Sequence, residues 1–328
     1  MEWCGPHRVA AKADAASCRP HLSLAVTQLP IVLIANPAAG RGRGVRAAAL
    51  ARAALDRAGP VDVRFTRGPL DEIRLAGEAT RDGASTIIAL GGDGTWGNVA
   101  HGILAATPGA TADARPRLAL FAAGTGNDFA RSLGTPAHDY GAMADLIRTS
   151  RDVRVDVGQI DDRHFLNCLG FGFDARVVER ARDVRWLGGS LLYAAVALPM
   201  LFGYRGVEIA EDAGEFSHHL TYVVANGRRF GGAFMVAPWA AVDDGMLDLV
   251  TTSHAAPLRR LALFARTFRG THRGAPEIGV RTIEALRLRF RSPPVYQVDG
   301  EFGVAATTEV VVRCLAGALR MVAASPAR

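Results

Sequence analysis

The stretch Thr86-Ile-Ile-Ala-Leu-Gly-Gly-Asp-Gly-Thr-Trp-Gly97 decides the fold. Its first five residues are β-branched or apolar with no polar alternation, the pattern of a strand buried on both faces of a parallel sheet. The glycines that follow give way at once to a helical pattern. Such a junction aims the free N–H groups of a helix N-terminus past the strand end, where they favour phosphate. Two further junctions repeat it. Ile31-Val-Leu-Ile-Ala35 runs into Asn36-Pro-Ala-Ala-Gly-Arg-Gly42, and Leu118-Ala-Leu-Phe121 runs into Ala122-Ala-Gly-Thr-Gly-Asn-Asp-Phe129. Any one of these could be a plain turn. Three at the same edge of a parallel sheet mark the edge where such sheets bind ligands.

Working outward, an Ala/Arg-rich helix to about Arg57, a strand over Val61 to Phe65 and a helix from Leu70 to about Arg81 complete a βαβ series. After about Arg151 the character changes. Val153 to Gly158, His164 to Leu169, Leu220 to Ala225, Met246 to Val250, Ala285 to Phe290 and Glu309 to Arg313 read as short strands separated by turns. The expected fold class is therefore α/β + β. A Rossmann-like parallel α/β domain over 30–150 precedes a mainly antiparallel β-sandwich domain over 151–328. Roughly the last 15 residues are expected to return to the first domain. Residues 1–29 carry no sustained period and read as a disordered leader.

Two segments of the second half bear on membranes. Leu187 to Tyr204 is uncharged but shorter than the ~20 residues of a spanning helix. Gly188, Gly189, Pro199 and Gly203 interrupt it, so a buried helix of about three turns ending near Pro199 is expected, forming an apolar wall. Pro257 to Phe268 is amphipathic, with Leu258, Leu261, Phe264, Ala265 and Phe268 on the stripe expected to pack inward. Arg259, Arg260 and Arg266 lie off that stripe, and with Arg269 and Arg273 they form a basic rim suited to an anionic bilayer.

Composition narrows the chemistry. The chain has 328 residues, 49 % hydrophobic and 21 % charged, enough to build a core. Its net charge of +6 suits an anionic partner but is too small to indicate nucleic acid. Lys12 is the single lysine, which excludes a lysine P-loop and any Schiff-base mechanism beyond the extreme N-terminus. Cys4, Cys18, Cys168 and Cys314 are scattered, so neither a disulfide framework nor a zinc site is expected, and a reducing cytoplasm is the default. His218 and His219 point to opposite faces of a strand, and hydrolase chemistry has no G-x-S-x-G support.

The loops Asn36-Pro-x-x-Gly40, Gly91-Gly-Asp-Gly-Thr95 and Gly124-Thr-Gly-Asn-Asp-Phe-Ala-Arg131 resemble those of the diacylglycerol kinase catalytic superfamily. That superfamily includes soluble bacterial lipid kinases and the sphingosine and ceramide kinases. Val155-Asp-Val-Gly158, Asn167 to Asp174, Asn226-Gly227, Val242-Asp-Asp-Gly-Met-Leu-Asp248 and Val298-Asp-Gly-Glu301 fit the same pattern, so the resemblance runs from about Pro30 to the C-terminus. It implies a transferase that binds ATP in the interdomain cleft and passes the γ-phosphate to a lipid hydroxyl, most simply diacylglycerol giving phosphatidic acid. The implied ATP contacts are Asn36, Thr66, Gly91, Gly92, Asp93, Gly94, Thr95, Trp96, Gly97, Asn98, Gly124, Thr125 and Asn127. Within them Trp96-Gly97-Asn98 departs from the family run, which ends in Asn-Glu after an aliphatic residue.

Glu301 is the general base expected from this resemblance. Asp93 is expected to organise Mg²⁺–ATP, and Asp299 to be either a second catalytic carboxylate or a support for its turn. The family also implies a structural Mg²⁺ held by the carbonyl of Ala241, the carboxylate of Asp244 and the carbonyl of Met246, oxygen ligands suited to a hard cation. A plain hairpin turn at Asp243-Asp244-Gly245 is the alternative. Two rival functions stay open. An NAD kinase-like phosphotransferase shares the glycine–aspartate loop but needs neither the apolar 187–204 segment nor Asp299-Gly300-Glu301. A nucleotide-gated lipid-binding module would lack turnover altogether. The expected partners are ATP and a lipid at a membrane surface, with cytoplasmic placement at the inner membrane face and a homodimer left open.

Overall fold

The computed structural model describes residues 1–2, 30–56, 59–124, 126–149, 151–182 and 190–323. Expectations placed on the rest of the leader, on Thr125 and on 187–189 lie outside the described residues. The first half runs β1 (Ile31–Ala35), α1 (Ala39–Gly42), α2 (Gly44–Leu55), β2 (Val61–Phe65), α3 (Asp71–Arg81), β3 (Thr86–Gly91), α4 (Asp93–Ala106), β4 (Arg117–Ala122), α5 (Asp128–Leu133) and α6 (Tyr140–Arg148). The second half runs β5 (Val153–Ile160), β6 (Arg163–Phe165), β7 (Cys168–Gly172), α7 (Phe173–Ala181), α8 (Ser190–Gly203), β8 (Val207–Glu211), β9 (Ser217–Ala225) and β10 (Leu247–Ser253). It closes with α9 (Pro257–Phe268), β11 (Ile278–Ile283), β12 (Ala285–Phe290), β13 (Val295–Val298), β14 (Glu301–Val304) and β15 (Glu309–Met321).

β2, β1, β3 and β4 pair in parallel in that order. The continuous apolar runs of β1 and β3 follow from burial on both faces. Ile31, Leu33 and Ala35 face one layer, with Ala48, Ala51 and Leu55 of α2 and Met143 and Ile147 of α6. Val32 and Ile34 face the other, with Leu75 and Ala76 of α3 and Trp96, Val99 and Ile103 of α4. The second half is an antiparallel β-sandwich whose core gathers Phe165, Phe171, Tyr222 and Phe290. The join is β15, which pairs antiparallel with β5 and β12 and, at its end, parallel with β4 through Met321 and Leu118. The C-terminal strand thus continues the parallel sheet.

Helices α6 and α7 and strands β8, β11, β13 and β14 are not among the expected elements, and four of the expected ones take other bounds or another orientation. The expected strand His164 to Leu169 breaks into β6 and β7, because the amides of Leu166 and Asn167 leave the ladder to donate to the Asp299 carboxylate. The last strand runs eight residues past Arg313, to Met321, by absorbing a register shift between Leu315 and Leu319. Gly317 sits in that bulge at φ +55°, a conformation glycine adopts freely. The helix expected to stop near Pro199 continues to Gly203. Beyond Pro199 the end of the helix is held by Arg260, which donates to the carbonyls of Leu201 (3.0 Å) and Tyr204 (2.7 Å) and so satisfies its last turn.

That bond also reorients α9. Its buried residues are Arg260 and Leu263; of the expected packing stripe Phe264 and Phe268 do pack on Phe234, at ring distances of 4.8 and 4.2 Å, while Leu258 and Leu261 are exposed. Among the described residues no helix is long and apolar enough to cross a membrane.

α3 and α4 cross where Gly102 lies against the carbonyl of Ile73, and a Cβ there would stand 2.8 Å from the Ala76 Cβ. Gly102→Leu should therefore force the helices apart and cost about 1–3 kcal/mol. Each kcal/mol should appear as a Tm drop of roughly 2–4 °C in thermal melting, and an unchanged Tm would contradict this packing.

Candidate active site

The three glycine junctions meet at the C-terminal edge of the parallel sheet. A Cβ on Gly40 would strike the carbonyl of Ala123, and one on Gly124 would approach the Gly92 Cα to 3.2 Å. The loops therefore touch backbone to backbone, an approach only glycine allows. α4 begins at Asp93 with no side-chain cap on its N-terminus, which leaves its first N–H groups for a ligand.

Polar side chains brace this edge. Asn36 accepts from the Ala38 amide (2.9 Å) and donates to Glu72 (3.2 Å) and Thr95 (3.3 Å). Thr66 follows β2 and is buried, its amide bonded to the Ala35 carbonyl at 3.0 Å. Asp93 accepts from the Phe129 amide (3.0 Å), tying the second junction to the third. Asn127, in the left-handed region at φ +53°, donates to the Gly124 carbonyl (3.0 Å). Asp128 accepts from the Gly232 amide (2.7 Å), bringing a loop of the β half over the site.

The other wall is the β13–β14 hairpin. Asp299 and Gly300, at φ +49° and +86°, form a two-residue turn of the type that favours Asp-Gly. The buried Asp299 carboxylate accepts from the amides of Leu166 (2.8 Å), Asn167 (2.8 Å) and Cys168 (3.0 Å). It also packs on Gly97, which leaves no room there for a side chain. Gly97 in the departing run is thus the seat of Asp299. Beside it, the Glu301 carboxylate stands over Gly94, where a Cβ would lie 2.7 Å from Oε1.

Burial pushes several carboxyls upward. Asp299 rises to about 6 through burial, opposed by its three amides. Asp128 rises to about 6 through burial and then through nearby Asp93. Asp93 and Glu72 rise as well, each chiefly through burial, with Glu301 adding to the shift at Glu72. A cation or a phosphate-bound cation would relieve this concentration of negative charge.

Two expected nucleotide residues lie elsewhere. Trp96 is fully buried and donates to the Ala89 carbonyl (3.1 Å), so it belongs to the core beneath the sheet. Asn98 is buried against β6, where it accepts from Arg163. The position that is acidic in the family pattern here holds an interdomain hydrogen bond. Nearby His101 and His164 face each other at 2.9 Å, and burial lowers them to about 4 and about 3.

Sequence reading also missed Gln297 and the role of Asp174. Gln297 accepts from the Gly300 amide (3.0 Å) and donates to Asp174 (3.3 Å), linking the hairpin turn to α7. Asp174 is raised to about 7 by burial, and its Oδ1 has no hydrogen-bond partner. It lines a cavity of about 160 Å³ whose mostly apolar walls include Phe173, Ala197, Leu201, Phe234, Leu263 and Phe264. The inward polar residue amid Val295, Tyr296 and Val298 was the available signal for Gln297.

Residues 30–160 match the diacylglycerol kinase catalytic domain, and 167–323 match the YegS C-terminal NAD kinase beta sandwich-like domain. A YegS-like lipid kinase of Pseudomonas aeruginosa is 31 % identical over 223 residues, covering 67 % of this chain and 70 % of that protein. The chain belongs to the diacylglycerol kinase catalytic superfamily of lipid kinases. A diacylglycerol kinase of Mycobacterium tuberculosis is 29 % identical over 290 residues, covering 85 % of this lipid kinase and 91 % of its own length. The fold is shared with a diacylglycerol kinase structure from Bacillus anthracis str. Sterne, at a TM-score of 0.65 and 21 % identity over 90 % of this chain and 97 % of that one.

Placing Trp96 in the core has a consequence. Trp96→Phe should lose the bond to Ala89 and about 1 kcal/mol of stability while nucleotide affinity stays unchanged. Melting and nucleotide titration check both, and a folded variant with weakened nucleotide binding would return Trp96 to the site.

Proposed function

We propose that this lipid kinase transfers the γ-phosphate of ATP to the hydroxyl of a diacylglycerol-type lipid. The observation that carries the reading is the hairpin's double attachment. Glu301 stands over Gly94 on the side of the glycine loops, while Gln297 ties the same turn to Asp174 at the apolar cavity. A lipid with its chain in the cavity would bring its head toward Glu301. Glu301 then accepts the hydroxyl proton as the oxygen attacks the γ-phosphorus and the bond to the ADP oxygen breaks. Positioning supplies most of the rate in such transfers. The apolar walls of the cavity favour a lipid over NAD as acceptor, and the unpartnered oxygen of Asp174 suits a hydroxyl donor on the lipid head.

Asp93 and Asp128 are the carboxylates suited to face the divalent cation carried with ATP, which neutralises phosphate charge when bound. We place a second, structural cation at the turn of Ala241, Asp244 and Met246 as a proposal; there the Asp244 carboxylate accepts from the Met246 amide (3.0 Å). Buried Asp156 accepts from the amides of Gly245 (2.7 Å) and Gly317 (2.6 Å), and its carboxyl is raised by burial and then by Asp244 and Asp243. The neighbouring Cys314 thiol is pushed up to about 12 by burial, Asp156 and Asp244. This negative concentration supports an oxygen-ligated Mg²⁺ with Asp244 as its carboxylate.

Labelled ATP supplied with diacylglycerol, NAD or no acceptor tests the reading, with label expected on the lipid alone. Label on NAD alone would overturn it. Glu301→Gln should lower turnover roughly 10²–10⁴-fold with ATP affinity nearly unchanged, and near-normal turnover would move the base elsewhere. Mg²⁺ should raise the Tm of the wild type more than that of Asp244→Ala. Equal shifts would remove the structural site.

A further inference from the structure

Glu72 is only 3 % exposed, yet it brings a carboxyl to the edge of the phosphate loops. It stands in the first turn of α3, where the helix N-terminus favours negative charge. Its Oε1 accepts from the Asn36 amide (3.2 Å), and its Oε2 has no hydrogen-bond partner. Burial raises this carboxyl and Glu301 raises it further, while its own amide and the neighbouring Asn98 side chain oppose the rise. A buried carboxyl with one oxygen unmet opposes folding, which points to a role at the site.

The contacts of Asn36 show what that role is. The amide that donates to Glu72 also donates to Thr95 (3.3 Å), while Asn36 Oδ1 accepts from Ala38 (2.9 Å). Asn36 opens the first glycine junction. Thr95 lies in the first turn of α4 and packs on Gly91 of the second junction. Glu72 therefore sets which way the Asn36 amide points, and Asn36 holds the two junctions together. Without that acceptor the side chain of Asn36 loses one of the partners that orient it.

Asn98 explains why this carboxyl comes from α3. Residues 95 and 98 are three apart on α4 and share a face. The family run is acidic at this position, whereas here Asn98 is buried, accepts from Arg163 and stands beside Glu72. A carboxylate at position 98 would face Glu72 in a buried space, and like charges so placed disfavour each other strongly. The space suits one carboxylate, and α3 supplies it.

We propose that Glu72 takes over, from α3, the place of the acidic residue that the family run carries at position 98, and orients Asn36 for nucleotide binding. It is a positioning residue, acting through Asn36 and Thr95. The nucleotide in this statement rests on the ATP reading above. The coupling of position 72 to position 98 is measured by melting without nucleotide, so the two can fail separately.

A double-mutant cycle of Glu72→Ala and Asn98→Glu tests it, with Tm and the affinity for a non-hydrolysable ATP analogue measured on each variant. Glu72→Ala should weaken the analogue roughly 10-fold, because a charged acceptor is lost. Asn98→Glu alone should lower the Tm by placing two carboxylates in one buried space. The double variant should bind within about threefold of wild type and melt above either single variant, the signature of coupled sites. Glu72→Met keeps the volume without the acceptor and should lose affinity as Glu72→Ala does. Glu72→Gln keeps an acceptor for Asn36 and should bind nearly as wild type. Wild-type affinity in Glu72→Met would overturn the proposal, as would a double variant that improves on Glu72→Ala in neither Tm nor affinity.

Discussion

Three backbone amides, from Leu166, Asn167 and Cys168, converge on the Asp299 carboxylate, and the geometry of the site depends on that bond set. A buried carboxylate is tolerated only when its lone pairs are met, and these amides meet them. In return the strand between β6 and β7 gives up its own pairing. The carboxylate seats on Gly97 of α4, so the hairpin of the β half is keyed to the helix that begins the phosphate loop. Glu301 is two residues along and has its position set by this contact. On the proposed mechanism, support and base function are thereby divided between two carboxylates of one short turn.

The same logic explains the interdomain surface. β15 joins the sheets, Arg163 reaches Asn98, and Asp128 takes the Gly232 amide, so the two halves are held together at three places, the last of them at the site. Buried carboxyls at Asp128, Asp174 and Asp299 oppose stability at neutral pH, because burial favours their protonated forms. Such groups are expected where charge serves binding or catalysis rather than folding.

The parallel strands were legible because their signal is local. β1 and β2 have the bounds the residues imply, and β3 and β4 differ by one residue at their ends. The glycine junctions were legible for the same reason. What failed depended on distant partners. The periodicity of α9 placed its whole stripe inward, whereas with Arg260 bonded to α8 only Phe264 and Phe268 pack on Phe234 and the two leucines, Leu258 and Leu261, face out. At the site, Asp93, Gly94 and Glu301 were readable as motif positions, but the burial of Trp96 and the engagement of Asn98 by Arg163 depend on the core and on β6. The link from Gln297 to Asp174 spans 123 residues, and no local pattern could reveal it.

The central claim is that the hairpin holds Glu301 opposite the phosphate end of a nucleotide seated on the glycine loops. A crystal structure with a non-hydrolysable ATP analogue tests it most directly. The account predicts the terminal phosphate against the backbone of Gly92 to Thr95, with the Glu301 carboxylate facing it across the space for an acceptor hydroxyl. A nucleotide bound away from these loops, or a Glu301 turned from the terminal phosphate with Asp299 still on its three amides, would contradict it.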